Sequence, residues 1–299
     1  MLSKLIMHLS NFYDYLSKEK NYSSNTVIAY KKDVETFQEF CRVKFELNNL
    51  LKVTYPIIRE WIIDLSEKEL SPLTINRKIS SLSKYYDFLI KINDLKSSPL
   101  KNHKRLKVQK KLIIPFSEDE VLKVVDVFSK NFEGKRNLLI VDMLYSTGVR
   151  RDELINIKLN DVLLDENLVK VLGKRNKERL VPLVLNLKSR INDYLKFRNE
   201  IKSSSSNFFI TTKGKKIGPS LVYRVVKNYF SKVSTKVKTS PHVLRHSFAT
   251  HMLNNGADIN SIKEIMGHSS LASTQIYTKI KLPKIINDYK KNHPRERKK

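Results

Sequence analysis

The chain has 299 residues, room for two domains that each bury a core, and sets 57 Lys plus Arg against 30 Asp plus Glu, a formal charge of +27. That excess favours a polyanionic partner, nucleic acid by default, and no apolar run of about 18 residues, signal peptide or lipidation motif speaks for a membrane. Cys41 is the single cysteine, which excludes an intrachain disulfide and a cysteine-based zinc site and makes a reducing cytoplasm the expected home.

The first hundred residues read as helical. Residues 3–20 and 56–66 are short amphipathic stretches. Val27, Tyr30, Val34, Phe37 and Cys41 recur at helical spacing behind the polar cap Ser23-Ser24-Asn25. Ile75, Ile79, Leu82, Tyr86 and Leu89 do the same behind Ser71-Pro72, a cap followed by proline at the first helical position. Four helices with short connections make a small bundle, expected over residues 1–100. Lys31, Lys32, Arg77, Lys78 and Lys84 are its expected surface cations, and Lys31, Arg77, Lys78 and Lys84 are candidates for contact with DNA.

Ser97-Ser98-Pro99 closes the bundle, and residues 101–114 read as a basic interdomain linker, with Arg105 a further DNA-binding candidate. Both parts of the chain have the charge to touch phosphate: 19 basic against 12 acidic side chains in residues 1–107, and 38 against 18 beyond.

The second domain, expected over 115–280, opens on a capping box, Ser117-Glu118-Asp119-Glu120. Residues 137–146 form an apolar helix ended by Thr147-Gly148. Leu168–Leu172 and Arg179–Val184 read as two strands around the polar turn 173–178. Helices return after Ser220.

The chemistry collects in the last quarter. Ser240-Pro241 starts a helix that places His242 and Arg245 on a shared face, near an amide-rich terminus that favours an anion. It ends at Asn255-Gly256. Asp258 caps the next helix, with Ile259, Ile262, Ile265 and Met266 as its buried stripe. Gly267 ends that helix and throws His268 into a loop, and Tyr277 follows nine residues later. A tyrosine can attack phosphorus once something takes its proton and something holds the phosphate's charge. Arg150 and Lys174 add positive charge. His242 and His246 stand at a common metal spacing, but no His-Glu-x-x-His pattern, cysteine pair or third ligand accompanies them, and two-metal chemistry needs clustered carboxylates. No metal and no cofactor are therefore expected. Taken singly, each residue has an ordinary reading: a structural histidine, a core aromatic, a helix-capping arginine, a solvated hairpin lysine.

Together they resemble a known family. Thr147-Gly148-Val149-Arg150-Arg151-Asp152-Glu153-Leu154, Gly173-Lys174 through Arg179, His242-Val-Leu-Arg245-His246, and Gly267-His268 followed by Gln275-Ile276-Tyr277-Thr278 are similar to the motifs of the tyrosine recombinase (phage-integrase) family. Asn25-Thr26…Ala29-Tyr30…Asp33 and Ser71…Ile75…Arg77-Lys78-Ile79-Ser80-Ser81-Leu82 resemble its core-binding helical domain. Length, domain order and the lack of an extra amino-terminal arm-binding domain look most like the Xer branch.

The resemblance implies a mainly α fold with a small β-sheet in the C-terminal domain, a helical bundle and an α+β catalytic domain forming a clamp around DNA. It implies Tyr277 as the nucleophile, forming a 3′-phosphotyrosine, with Arg150 and Arg245 holding the scissile phosphate and His268 bonding to it. His242 assists, Lys174 protonates the leaving 5′-oxygen, and Glu153 supports the arginine site. It further implies metal- and ATP-independent strand exchange in a tetramer on two DNA sites, with identical or paralogous subunits, and a division-associated DNA translocase as a possible partner. Residues 281–299 correspond to a C-terminal exchange segment and basic tail, with Leu282, Ile285, Ile286 and Tyr289 as its apolar face. Resolution of chromosome dimers is the expected role. A mobile-element integrase, a type IB topoisomerase-like enzyme and a DNA-binding protein without catalysis are the competing readings.

Overall fold

In the computed structural model, residues 2–109, 113–123, 128–173, 177–236, 239–267 and 281–296 are described. They divide into two compact units, Met1–Lys111 and Leu112–Lys299.

The first unit is helical: α1 (Leu2–Asp14), running on into a π-helical turn at Tyr15–Glu19, then α2 (Ser24–Phe45), α3 (Tyr55–Glu67) and α4 (Pro72–Lys91). The sequence sets the helix starts. Ser23 accepts from the amide of Thr26 at the head of α2, and Ser71 accepts from Thr74 ahead of Pro72 in α4. The apolar stripes of α2 and α4 then close over Phe12, Phe37, Trp61 and Tyr86, each at most 1% exposed. The Phe37 and Trp61 rings lie 4.8 Å apart between centroids.

A carboxylate sits inside this packing. Asp33 on α2 is 1% exposed. It takes hydrogen bonds from both terminal nitrogens of Arg77, from Lys78 Nζ at 3.1 Å and from Ser81 Oγ at 2.7 Å, all on α4. Burial acts to raise its pKa, but the bonds from Arg77, Ser81 and Lys78 outweigh it and hold the carboxyl below its ordinary value. Lys78 is thus corrected as a surface cation: its side chain is 13% exposed and tied to Asp33. Arg77 stays 47% exposed while its guanidinium is fixed. Asp33→Asn leaves Lys78 without its charge partner inside the helix pair. It is expected to destabilise this unit by about 3 kcal/mol, read as a lower urea midpoint.

The segment read as linker is fastened to this first unit at Leu106. Asn76 brackets Leu106, donating to its carbonyl and accepting from its amide, both at 2.9 Å.

The second unit surrounds a helix that is apolar on most of its faces. After α5 (Glu118–Lys123) comes α6 (Phe132–Thr147), continuously buried from Leu139 to Thr147. Ser117 and Glu120 form the expected capping box, the amide of each bonded to the other's side chain at 2.7 and 3.1 Å. Gly148 ends α6 at φ +59°, where a Cβ would come 2.4 Å from the Phe248 ring. Then follow α7 (Arg151–Asn156) and an antiparallel sheet in the order β1 (Val162–Leu163), β2 (Leu168–Leu172), β3 (Glu178–Pro182), with Val169 opposite Val181. The chain continues through α8 (Leu185–Asn199), α9 (Pro219–Val233), α10 (Pro241–Asn254), α11 (Ile259–Met266) and α12 (Lys281–Asn292).

Two expectations change in detail. Ile259 is 51% exposed and leaves the buried stripe of α11 to Ile262, Ile265 and Met266. Ser240 makes no side-chain cap at the start of α10, although Pro241 stands at its head.

The C-terminal segment is docked on its own unit. Ile285 and Tyr289 of α12 enter the core, and Tyr289 Oη donates to Ser146 O at 2.7 Å. His293 is fully buried beside Tyr289 and Phe248. Arg295 Nη1 reaches Asp142 Oδ1 at 2.6 Å, a carboxylate that Arg190 also pairs.

Candidate active site

The site begins at the break between α6 and α7. Gly148 turns the chain out of α6, and Arg150 becomes the residue that heads α7. Glu153 stands in the first turn of α7 and is 6% exposed. Its Oε2 accepts from the backbone amide of Arg150 at 2.9 Å, and its Oε1 accepts from Arg150 Nη1 at 2.7 Å. One carboxylate therefore caps the helix and holds the arginine side chain.

A second arginine reaches the same carboxylate from β3. Arg179 Nη2 donates to Glu153 Oε2 at 2.7 Å and Nη1 to Oε1 at 3.2 Å, while Nε donates to Ile265 O at 2.7 Å near the end of α11. Burial would raise the Glu153 carboxyl, but Arg179 and Arg150 together hold it below its ordinary value.

Arg245 comes from α10 and is 7% exposed. Its Nη1 donates to Gly148 O, and its Nη2 donates to Met266 O at 2.7 Å. Arg150 Nη2 in turn donates to Gly267 O at 3.2 Å. Each arginine thus braces the chain beside another candidate residue: Arg245 holds the turn that leads to Arg150, and Arg150 holds the glycine that precedes His268. Burial first, then the charges of Arg150 and Arg179, pull the Arg245 guanidinium down to about 10. It remains protonated at neutral pH, in a setting short of negative charge. Arg150, Arg179 and Arg245 surround the carboxylate of Glu153, so a phosphodiester arriving there supplies charge that the cluster lacks.

The structure brings Arg150, Glu153 and Arg245 together. His242 stands three residues before Arg245 on α10, but its ring is exposed while the arginine turns into the protein. No hydrogen bond among the described residues joins the two. Lys174, His268 and Tyr277 lie outside the described residues. Their neighbours Gly173, Lys177 and Gly267 lie within. Gly267 adopts φ +64° at the end of α11, as its helix-ending role requires. The candidate DNA contacts belong to the first unit: Lys31 and Lys84 are half exposed beside Glu35 and Asp87, Arg77 is set on Asp33, and Arg105 is exposed. No group of three His, Cys, Asp or Glu that could hold a metal ion occurs among the described residues.

Sequence reasoning gave Arg179 no role. The available signal was alternation: Arg179 and Val181 point inward on β3, and a charge at an inward strand position demands a partner.

Two family patterns match the chain in succession. The Phage integrase N-terminal SAM-like domain matches residues 9–93, and the Phage integrase family matches residues 102–282. Tyrosine recombinase XerC of Thermodesulfovibrio yellowstonii is 34% identical over 294 residues, covering 96% of each chain. Tyrosine recombinase XerC of Listeria monocytogenes serotype 4a is 35% identical over 290 residues, covering 95% of this chain and 96% of the relative. Among solved structures, the XerH site-specific recombinase bound to palindromic difH substrate superposes with a TM-score of 0.71 at 22% identity, over 92% of this chain and 83% of the other. The Tn1549 transposon integrase in complex with transposon right end DNA gives 0.70 at 18% identity, over 92% and 97%. These two likenesses support the mainly helical fold with its small sheet. By sequence and architecture, the chain belongs to the phage integrase family of tyrosine recombinases, enzymes that break and rejoin DNA.

Proposed function

We propose that this Xer-type recombinase cuts and rejoins two DNA duplexes through a covalent 3′-phosphotyrosine on Tyr277, and that it resolves chromosome dimers at cell division. The observation that carries this reading is the cross-bracing of Arg150 and Arg245. Two guanidinium groups, brought from segments nearly a hundred residues apart, share the carbonyl frame of Gly148, Met266 and Gly267. Planar, permanently charged donors set this way suit a tetrahedral phosphate.

The reaction is proposed on the family motifs, with Arg150 and Arg245 as its described members. Tyr277 Oη forms a bond to phosphorus, and the bond from phosphorus to the 5′-oxygen breaks. Lys174 gives the departing 5′-oxygen its proton. Arg150 and Arg245 hold the non-bridging oxygens, His268 bonds to one of them, and the phenolic proton of Tyr277 passes to His242 on α10 as the new bond forms. The phosphotyrosine conserves the energy of the phosphodiester, so rejoining needs neither ATP nor a metal. Lys31, Arg77, Lys84 and Arg105 are the proposed backbone contacts of the first unit and its basic extension, with Lys78 helping to hold Asp33.

The working assembly is a tetramer, of this chain alone or with a paralogue, on two DNA sites in the cytoplasm, with a division-associated DNA translocase as a possible activator. Exchange of α12 between subunits would require Tyr289 to leave Ser146 and Arg295 to leave Asp142. A mobile-element integrase would use the same chemistry. The XerC relatives, about 34% identical along the whole chain, favour the chromosomal role.

Strand exchange tests the proposal. A duplex selected from a random library by binding to the protein is supplied in two lengths, in EDTA and without nucleotide. Recombinant lengths are the expected product. Cleaved, unjoined ends, or exchange that depends on added Mg²⁺ or ATP, would contradict it.

A further inference from the structure

Arg179 is 5% exposed, and its guanidinium is turned into the protein. All three of its nitrogens are engaged there, Nε by Ile265 O and Nη1 and Nη2 by Glu153. Two glycines lie against the same guanidinium. A Cβ on Gly267 would come 2.9 Å from Arg179 Nη1 and 3.0 Å from its Cζ, and a Cβ on Gly173 would come 3.4 Å from Nη1. Gly267 directly precedes His268, and Gly173 directly precedes Lys174. Glu153, held from the other side, carries Arg150. One buried guanidinium therefore touches the roots of three segments that carry proposed catalytic groups.

The charge arithmetic adds a second function. A carboxylate facing a single arginine tends to form a bidentate pair that occupies the whole fork. Here Arg179 takes both oxygens of Glu153. Arg150 gives that carboxylate a single side-chain bond and gives Gly267 O another. Among the described residues two of its five N–H groups are used, and with 39% of its side chain exposed Arg150 is anchored yet accessible to phosphate. Stability alone does not require this arrangement, since buried ion pairs are often replaceable by apolar side chains without loss.

We propose that Arg179 is a positioning residue, which sets Arg150 and the chain at Gly173 and Gly267, the residues that lead into Lys174 and His268, relative to one another through Glu153. The inference rests on the recombinase reading above. Its test compares adduct formation on a nicked duplex of the selected sequence with either an ordinary scissile phosphate or a 5′-bridging phosphorothiolate, whose sulfur leaves without a proton. Arg179→Lys is expected to slow adduct formation on the ordinary substrate by about 100-fold, the scale of a displacement near 1 Å. The rate ratio of phosphorothiolate to ordinary substrate should rise about tenfold over wild type, because the proton donor is displaced and the sulfur substrate does not need it.

The ratio does not depend on the fraction of protein folded. Arg179→Gln, which keeps an amide donor toward Glu153, is scored on the same ratio should the lysine variant fold poorly. An unchanged ratio, with rates falling only in step with folded protein, would overturn the inference, as would wild-type rates in either variant. A wild-type chain that forms no adduct would instead sink the recombinase reading itself.

Discussion

Arg245→Lys is expected to lower the single-turnover rate of covalent adduct formation by about 10²–10³-fold while the variant still binds duplex DNA. The charge is retained, so the loss comes from geometry. Arg245 uses its planar fork on two carbonyls from different segments, Gly148 O and Met266 O. A lysine ammonium is a point charge without that fork and cannot reproduce the same brace while also meeting a phosphate oxygen. One carbonyl loses its partner, and the frame between Gly148 and Gly267 loosens at the site of the developing charge. Affinity changes little because phosphate attraction is spread over a chain of charge +27. Gel shift and adduct kinetics on the same nicked duplex separate the two quantities. Parallel losses of binding and rate would place Arg245 in general DNA attraction instead.

Glu153→Ala is expected to have the largest effect on stability, about 3–5 kcal/mol. Its carboxylate is the shared acceptor for Arg179 and Arg150, and it caps α7 through the Arg150 amide. Removing it leaves the Arg179 guanidinium buried and without its charge partner. Folded proteins have about 5–15 kcal/mol in total, so the second unit should melt well below the wild type. The pH dependence follows from the lowered pKa of Glu153. A carboxyl lowered by its partners contributes fully above its unfolded value near 4.5 and loses that contribution as pH falls through the folded value. The stability gap between wild type and Glu153→Ala should therefore be constant from pH 7 to about 5 and narrow below that. Urea unfolding at stepped pH measures it. A gap that widens on acidification would mean the carboxylate is not held by the arginines.

Local chemistry was the most legible part of this chain. Ser23, Ser71, the Ser117–Glu120 box and Gly148 act at helix ends within a few residues of themselves, and each does so in the structure. The family motifs carried Arg150, Glu153 and Arg245, although nothing local says that Arg245 would reach the carbonyl of Gly148, 97 residues away. The helix α8 escaped notice because its buried Leu187, Ile191 and Tyr194 are diluted by Asn, Lys and Arg. The two-residue strand β1 is too short to leave a periodic pattern. Ile259 fits the apolar spacing of α11 but lies in its first turn, where the helix face turns to solvent. Asp33 and Arg179 show the largest gap. A charge in a sequence reads as surface by default, and its burial shows only when its partners, Arg77 and Lys78 or Glu153, come from other elements.

The proposed intermediate is a covalent link between Tyr277 and the 3′ end of a cut strand. The protein is incubated with its selected duplex, nicked next to the scissile phosphate so that the short 5′-hydroxyl product diffuses away. The trapped complex is then digested and the modified peptide sequenced by mass spectrometry. The expected result is a nucleotide 3′-phosphate on Tyr277, with no adduct from Tyr277→Phe. An adduct on another residue, attachment through a 5′-phosphate, or undiminished trapping by Tyr277→Phe would contradict it.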